Sequence, residues 1–132
     1  MVAPVVSRLI SPRLLRFGIV GLTGVVVNLI VLRLLYGELH WPPLVASALS
    51  VEVSILNNFL WNNRWTFGQR TISLIRFGRF NLAALGGLAI TAGLFTLLLQ
   101  RFGLPYLLAD LVGIAAATLW NWAISVHWTW AP

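Results

Sequence analysis

The chain has 132 residues, of which 59% are hydrophobic and only 9% charged, and its net charge is +6. So little polar surface excludes a compact water-soluble globule of this size and makes the lipid bilayer the solvent. The nine basic residues are all Arg and gather at the ends of apolar runs, which assigns them to headgroups and topology and excludes nucleic acid as the partner. Cysteine is absent, which removes disulfides, thiolate chemistry and Cys metal sites.

In chain order, residues 1–16 read as a basic juxtamembrane segment. Met1 is the expected natural start, Pro4 and Pro12 keep the segment at the surface, and Arg8, Arg13 and Arg16 lie in the headgroup zone. A transmembrane domain is predicted over 17–132. Its first span covers residues 17–36, with Arg33 near the far end where it can snorkel. Residues 37–43 turn the chain around Pro42-Pro43, and a second span covers 44–63. A loop over 64–79 precedes a third span over 80–100. Residues 101–105 turn again, and a fourth span runs over 106–126. The expected fold is all-α, a polytopic membrane protein of four transmembrane helices. Arginines crowd before the first span and between the second and third, which predicts an inner (plasma) membrane protein with both termini cytoplasmic.

Displaced by 63 positions, residues 16–67 align with 79–130 without a gap. Arg16-Phe17 falls on Arg79-Phe80, Gly24 on Gly87, Pro42 on Pro105, Asn58 on Asn121 and Trp65-Thr66 on Trp128-Thr129. These matches predict two copies of one helical hairpin, parallel because each copy crosses twice.

Gly18, Gly21, Gly24 and Asn28 share one face of the first span, and Asn81, Ala84, Gly87 and Thr91 share the equivalent face of the third. Small residues at this spacing let backbones approach, so Gly21, Gly24 and Gly87 are predicted packing residues. In the second span Ser47, Ser50, Ser54, Asn58 and Asn62 form a polar stripe. Its counterpart in the fourth is Asp110, Gly113, Ala117, Asn121 and Ser125. Such stripes face protein or water, either as interhelical glue or as a track for a lipid headgroup.

Glu52, near the middle of the second span, is the acid singled out first, because a carboxylate there costs at least about 2.5 kcal/mol. Two readings stand: a carboxyl hydrogen-bonded within the bundle, or a functional group coupled to protons or touching sugar or phosphate. The run from Asn57 to Phe67 mixes amides, a guanidinium and aromatics. Arg64 suits a bidentate grip on phosphate, Asn58 and Asn62 suit hydroxyls, and Trp65 offers a stacking face. The alternative is an interfacial aromatic belt with a topology-setting Arg. Residues 70–79, with Arg70, Arg76 and Arg79, suit a short helix on anionic lipid or a docking surface for a partner. His40 and His127 stand alone and predict no metal site, and no cofactor is expected.

Arg16-Phe17-Gly18-Ile19-Val20-Gly21 with Gly24 and Asn28, the stretch from Glu52 to Phe59, and above all Asn58-Phe59-Leu60-Trp61-Asn62-Asn63-Arg64-Trp65-Thr66-Phe67 resemble the GtrA-like family of four-helix membrane proteins. Arg79-Phe80, Asn121-Trp122 and Trp128-Thr129-Trp130 are similar to second-half echoes of that pattern. Asn63 departs from the family's first signature Arg, and His127 stands where an Arg would follow in the second half.

The resemblance implies handling of polyprenyl-phosphate-linked sugar in cell-envelope polysaccharide synthesis. Translocation of that lipid is the first expectation, along a path that includes Glu52, Asn28, Asn58, Asn62, Arg64, Trp65 and Asn121. The alternative is a non-catalytic anchor that recruits a glycosyltransferase in trans, since a similar module occurs fused to polyprenol-phosphate sugar synthases. A homo-oligomer is expected because four helices enclose little space. No paired carboxylates, nucleotide-binding glycine loop or metal cluster is visible, so the chain is not expected to be an enzyme.

Overall fold

The computed structural model describes residues 11–132. Met1, Pro4, Arg8 and most of the predicted juxtamembrane segment lie outside the described residues. Within them every regular element is helical, and four helices are long and apolar enough to cross a membrane: α1 (Pro12–Glu38), α2 (Pro43–Thr66), α3 (Leu74–Arg101) and α4 (Tyr106–Thr129). In the most apolar stretch of each, only 11–22% of residues are buried. Leu22 is 69% exposed, Leu44 82% and Leu74 85%, surfaces that are stable only against lipid.

Proline fixes three of the helix starts. Ser11 is extended and Pro12 supplies the first helical φ of α1; Pro42 precedes Pro43 in the same way, and Pro105 precedes Tyr106. α1 starts at Pro12, so Arg13 and Arg16 are part of its first turns. The fourth start is a serine cap. Ser73 Oγ accepts the backbone N–H of Arg76 at 3.2 Å, so residues 74–79 are the opening turns of α3, not a separate loop or surface helix.

Three helices end alike. Each passes into a π-helical turn, at Arg33–Glu38, Asn62–Thr66 and Ser125–Thr129, closed by i→i+5 bonds such as Phe67 N–H to Asn62 O at 2.8 Å and Trp130 N–H to Ser125 O at 2.9 Å. A left-handed residue follows the end of α1, α2 and α3. His40 (φ 57°) precedes the bond from Trp41 N–H to Leu35 O, Gly68 (φ 61°) that from Gln69 to Asn63 O, and Gly103 (φ 64°) that from Leu104 to Leu98 O. This closure, from an N–H to the carbonyl six residues earlier, satisfies carbonyls that a bare helix end leaves orphaned.

The chain divides into two compact units, residues 11–77 and Gly78–Pro132. In the first, α1 and α2 meet where Ser54 Oγ donates to Gly24 O at 2.8 Å and the Asn58 amide lies directly on Gly24. A Cβ on Gly24 would stand 2.6 Å from Asn58 Nδ2, so a larger residue here would force the amide aside. In the second, α3 and α4 meet at Gly87 beside Asn121, at Gly113 against the backbone of Thr91, and at Trp120, whose Nε1 donates to Ala83 O at 3.1 Å. Thr91 Oγ1 reaches both Gly87 O (3.1 Å) and Gly113 O (3.3 Å), tying one helix to the other.

Candidate functional site

The polar run at the end of α2 sorts its side chains by helical position. Asn62 is 1% exposed and its Oδ1 accepts the Thr66 hydroxyl at 2.7 Å. Asn63, also buried, donates to Thr71 O at 3.0 Å, and its Oδ1 accepts from Arg76 Nη1 at 3.2 Å. Arg76 reaches Thr71 O as well, at 3.4 Å, so this amide and guanidinium fasten the α2–α3 link. The departure from the family pattern at Asn63 therefore has a structural use. Asn57 Nδ2 reaches Thr23 Oγ1 at 3.1 Å and Asn58 Oδ1 at 3.3 Å.

Arg64 and Trp65 fall on the other side and are exposed. Together with Ile19, Val20, Thr23 and Trp61 they line a cavity of about 470 Å³ between α1 and α2. Its wall is almost wholly aliphatic and aromatic, and Arg64 borders it at the end of α2. Trp65 is itself held. The Arg16 guanidinium sits 5.5 Å from the ring centroid and its Nη1 donates to Trp65 O at 3.3 Å, joining the start of α1 to the end of α2. In the second unit Arg79 does the same to Trp128, at 5.3 Å from the ring and 3.2 Å from the carbonyl.

The other expected site residues do not converge on this cavity. The pairings of 16 with 65, 23 with 57 and 24 with 54 place Asn28 at about the depth of Glu52. Both are roughly 18 Å along their helices from Arg16 and Arg64 respectively, at 1.5 Å per residue. Glu52 is half-buried, on a stripe with Ile55, Phe59 and Asn62. Asn28 Oδ1 is buried without a hydrogen-bond partner, as is Asn121 Oδ1 beside Gly87. A Cβ at Gly21 would meet nothing within 4 Å, so the close approach is at Gly24 and Gly87. Arg70 is exposed, whereas Arg76 and Arg79 are engaged as described.

Sequence reasoning missed Ile19, Val20, Thr23 and Trp61 as site residues. All four are ordinary membrane residues, and only the α1–α2 register brings them beside Arg64. It also missed the arginine–tryptophan clamps, although both pairs recur at the 63-residue offset and that recurrence was the available signal.

Residues 16–130 match the GtrA/DPMS transmembrane domain. The chain belongs to this family. It is an integral membrane protein with four spanning helices. Over 121 residues it is 40% identical to a dolichol-phosphate mannosyltransferase of Pyrococcus furiosus, an alignment that covers 90% of this chain and 34% of that protein. The GtrA/DPMS chain thus spans about a third of the length of this curated relative.

Proposed function

We propose that this GtrA/DPMS chain handles polyprenyl-phosphate-linked sugar in cell-envelope polysaccharide biosynthesis and moves it across the inner membrane. The observation that carries this reading is the cavity beside Arg64. Its apolar wall of Ile19, Val20, Trp61 and Trp65 suits isoprenyl units, and an exposed guanidinium beside it suits a phosphate monoanion or diester. A dry lipid tail with one anionic group is the ligand that needs both. The Pyrococcus furiosus relative is a dolichol-phosphate mannosyltransferase, which points to the same class of lipid. The chain performs no chemistry on the sugar in this reading; it binds and reorients, with both termini cytoplasmic and more than one copy assembled.

In proteoliposomes, Arg64→Ala is expected to slow the passage of a polyprenyl-phosphate hexose at least tenfold, whereas Arg70→Ala leaves it unchanged. Equal rates for wild type and Arg64→Ala would remove the translocase reading.

A second reading, an anchor that recruits a glycosyltransferase, is favoured by the relative being a transferase of which this chain matches a third. Arg70 with the exposed Ile72, Leu74 and Ile75 would form its docking face. Charge and apolar changes there should then release a transferase from the purified complex. Co-purification that survives them would count against it.

A further inference from the structure

The second unit holds a cavity of about 500 Å³ lined by Leu88, Thr91, Ala92, Phe95, Tyr106, Leu107 and Asp110. It lies at the end of the α3–α4 hairpin remote from the Arg79–Trp128 clamp, since Asp110 is 18 residues before Trp128, roughly 27 Å along α4. Its volume falls within the ~300–1,000 Å³ usual for small-molecule sites. Asp110 is half-buried and is the ionisable acid of this lining. Asp110 is the fifth residue of α4, about one turn from its start at Tyr106, so its carboxylate stands near the interfacial end of the helix where a polar headgroup or sugar can reach it.

The chemistry of the lining is specific to this unit. At the 63-residue offset, Phe95 corresponds to Leu32, Tyr106 to Pro43 and Asp110 to Ser47, so the acid and both aromatic rings have no counterpart in the first hairpin. The Thr91 hydroxyl is engaged by the Gly87 and Gly113 carbonyls, which leaves the carboxylate and the Tyr106 phenol as the polar groups with capacity to spare. Two carboxylate oxygens accept from two adjacent hydroxyls, and an aromatic ring covers the C–H face of a pyranose. An isoprenyl chain would use the rings but not the acid. A phosphate would be repelled by it.

We propose that Asp110, Tyr106 and Phe95 form a sugar-binding site that reads the hexose of a lipid-linked sugar. This rests on the reading above for its ligand class, but it uses a different cavity in a different unit from the one that carries Arg64.

The test is binding by native mass spectrometry of the full chain in nanodiscs, with a polyprenyl monophosphate bearing one mannose and with the same lipid lacking the sugar. Wild type should bind the mannosylated lipid at least fivefold more tightly. Asp110→Asn should abolish that preference while leaving the affinity for the sugar-free lipid unchanged. Tyr106→Leu, at a more exposed position, should reduce the preference and serves where Asp110→Asn fails to fold. A preference retained in either folded variant, or an equal loss for both lipids, overturns the site. If wild type binds both lipids equally, the sugar site falls and the Arg64 reading stands; if it binds neither, both fall.

Discussion

The two hairpins share one clamp and differ in the space beside it. In both, an Arg from the first helix caps the ring and carbonyl of a Trp near the end of the second, at Arg16–Trp65 and Arg79–Trp128. In both, an Asn amide lies on a helical glycine, Asn58 on Gly24 and Asn121 on Gly87. Next to these contacts the units diverge. Asn57 reaches Thr23 in the first, beside the open cavity that contains Thr23 and Arg64. At the equivalent place in the second, the Trp120 indole lies on Gly86 and bonds Ala83 O, and His127 replaces Arg64. At its other end the second unit offers a cavity lined by an ionisable group, Asp110. The two hairpins thus share the clamp and the amide-on-glycine contact, while the first carries a cation beside a cavity at the clamp end and the second an acid beside a cavity at the end remote from its clamp.

The sharpest test of this comparison is Gly113→Ala. A Cβ there would stand 2.9 Å from Thr91 O, a backbone atom that cannot swing aside, whereas the matching position in the first unit is Ser50, which already carries a Cβ. A loss of about 3 kcal/mol is expected from such overpacking, read by thermal unfolding in detergent. Ser50→Ala should cost far less. Next comes Gly24→Ala, at about 1–3 kcal/mol, because the Asn58 amide can rotate at some cost; Gly21→Ala, with open space around it, should stay within about 0.5 kcal/mol. Similar unfolding of the Gly24 and Gly21 variants would deny that the close approach is confined to Gly24.

Arg16→Ala and Arg79→Ala should each lower stability by about 2 kcal/mol, from an exposed cation–π contact and one long charge-assisted bond. A marked difference between the two would show that the clamps are not equivalent. The smallest effect is a gain. Ser125 Oγ and Thr129 Oγ1 are buried without partners where Asn62 and Thr66 bond each other, so Ser125→Asn should recreate that bond and raise stability by about 0.5–1 kcal/mol. A loss instead would mean that the second π-turn has no room for the longer amide.

The four helices were legible because the composition leaves no other solvent than lipid and because prolines punctuate the turns. Boundaries moved where local chemistry outweighed hydropathy. Arg13 and Arg16 read as surface charge, yet Pro12 starts the helix before them; residues 74–79 read as loop, yet Ser73 caps them into α3. The candidate site was legible in part. Arg64 and Trp65 were named from their residue types, but Asn58 and Asn62 turned out to be occupied by Gly24 and Thr66, while the apolar wall of the cavity carried no signal of its own.

The sequence by itself determined that this chain lives in lipid, crosses it with four helices and places like residues 63 positions apart, because hydropathy and turn residues act locally and require no partner. Only the tertiary structure decided which amides are spent on packing and which side chains border a cavity. Those outcomes depend on the rotation and register of one helix against another, set by where a glycine lets two backbones meet.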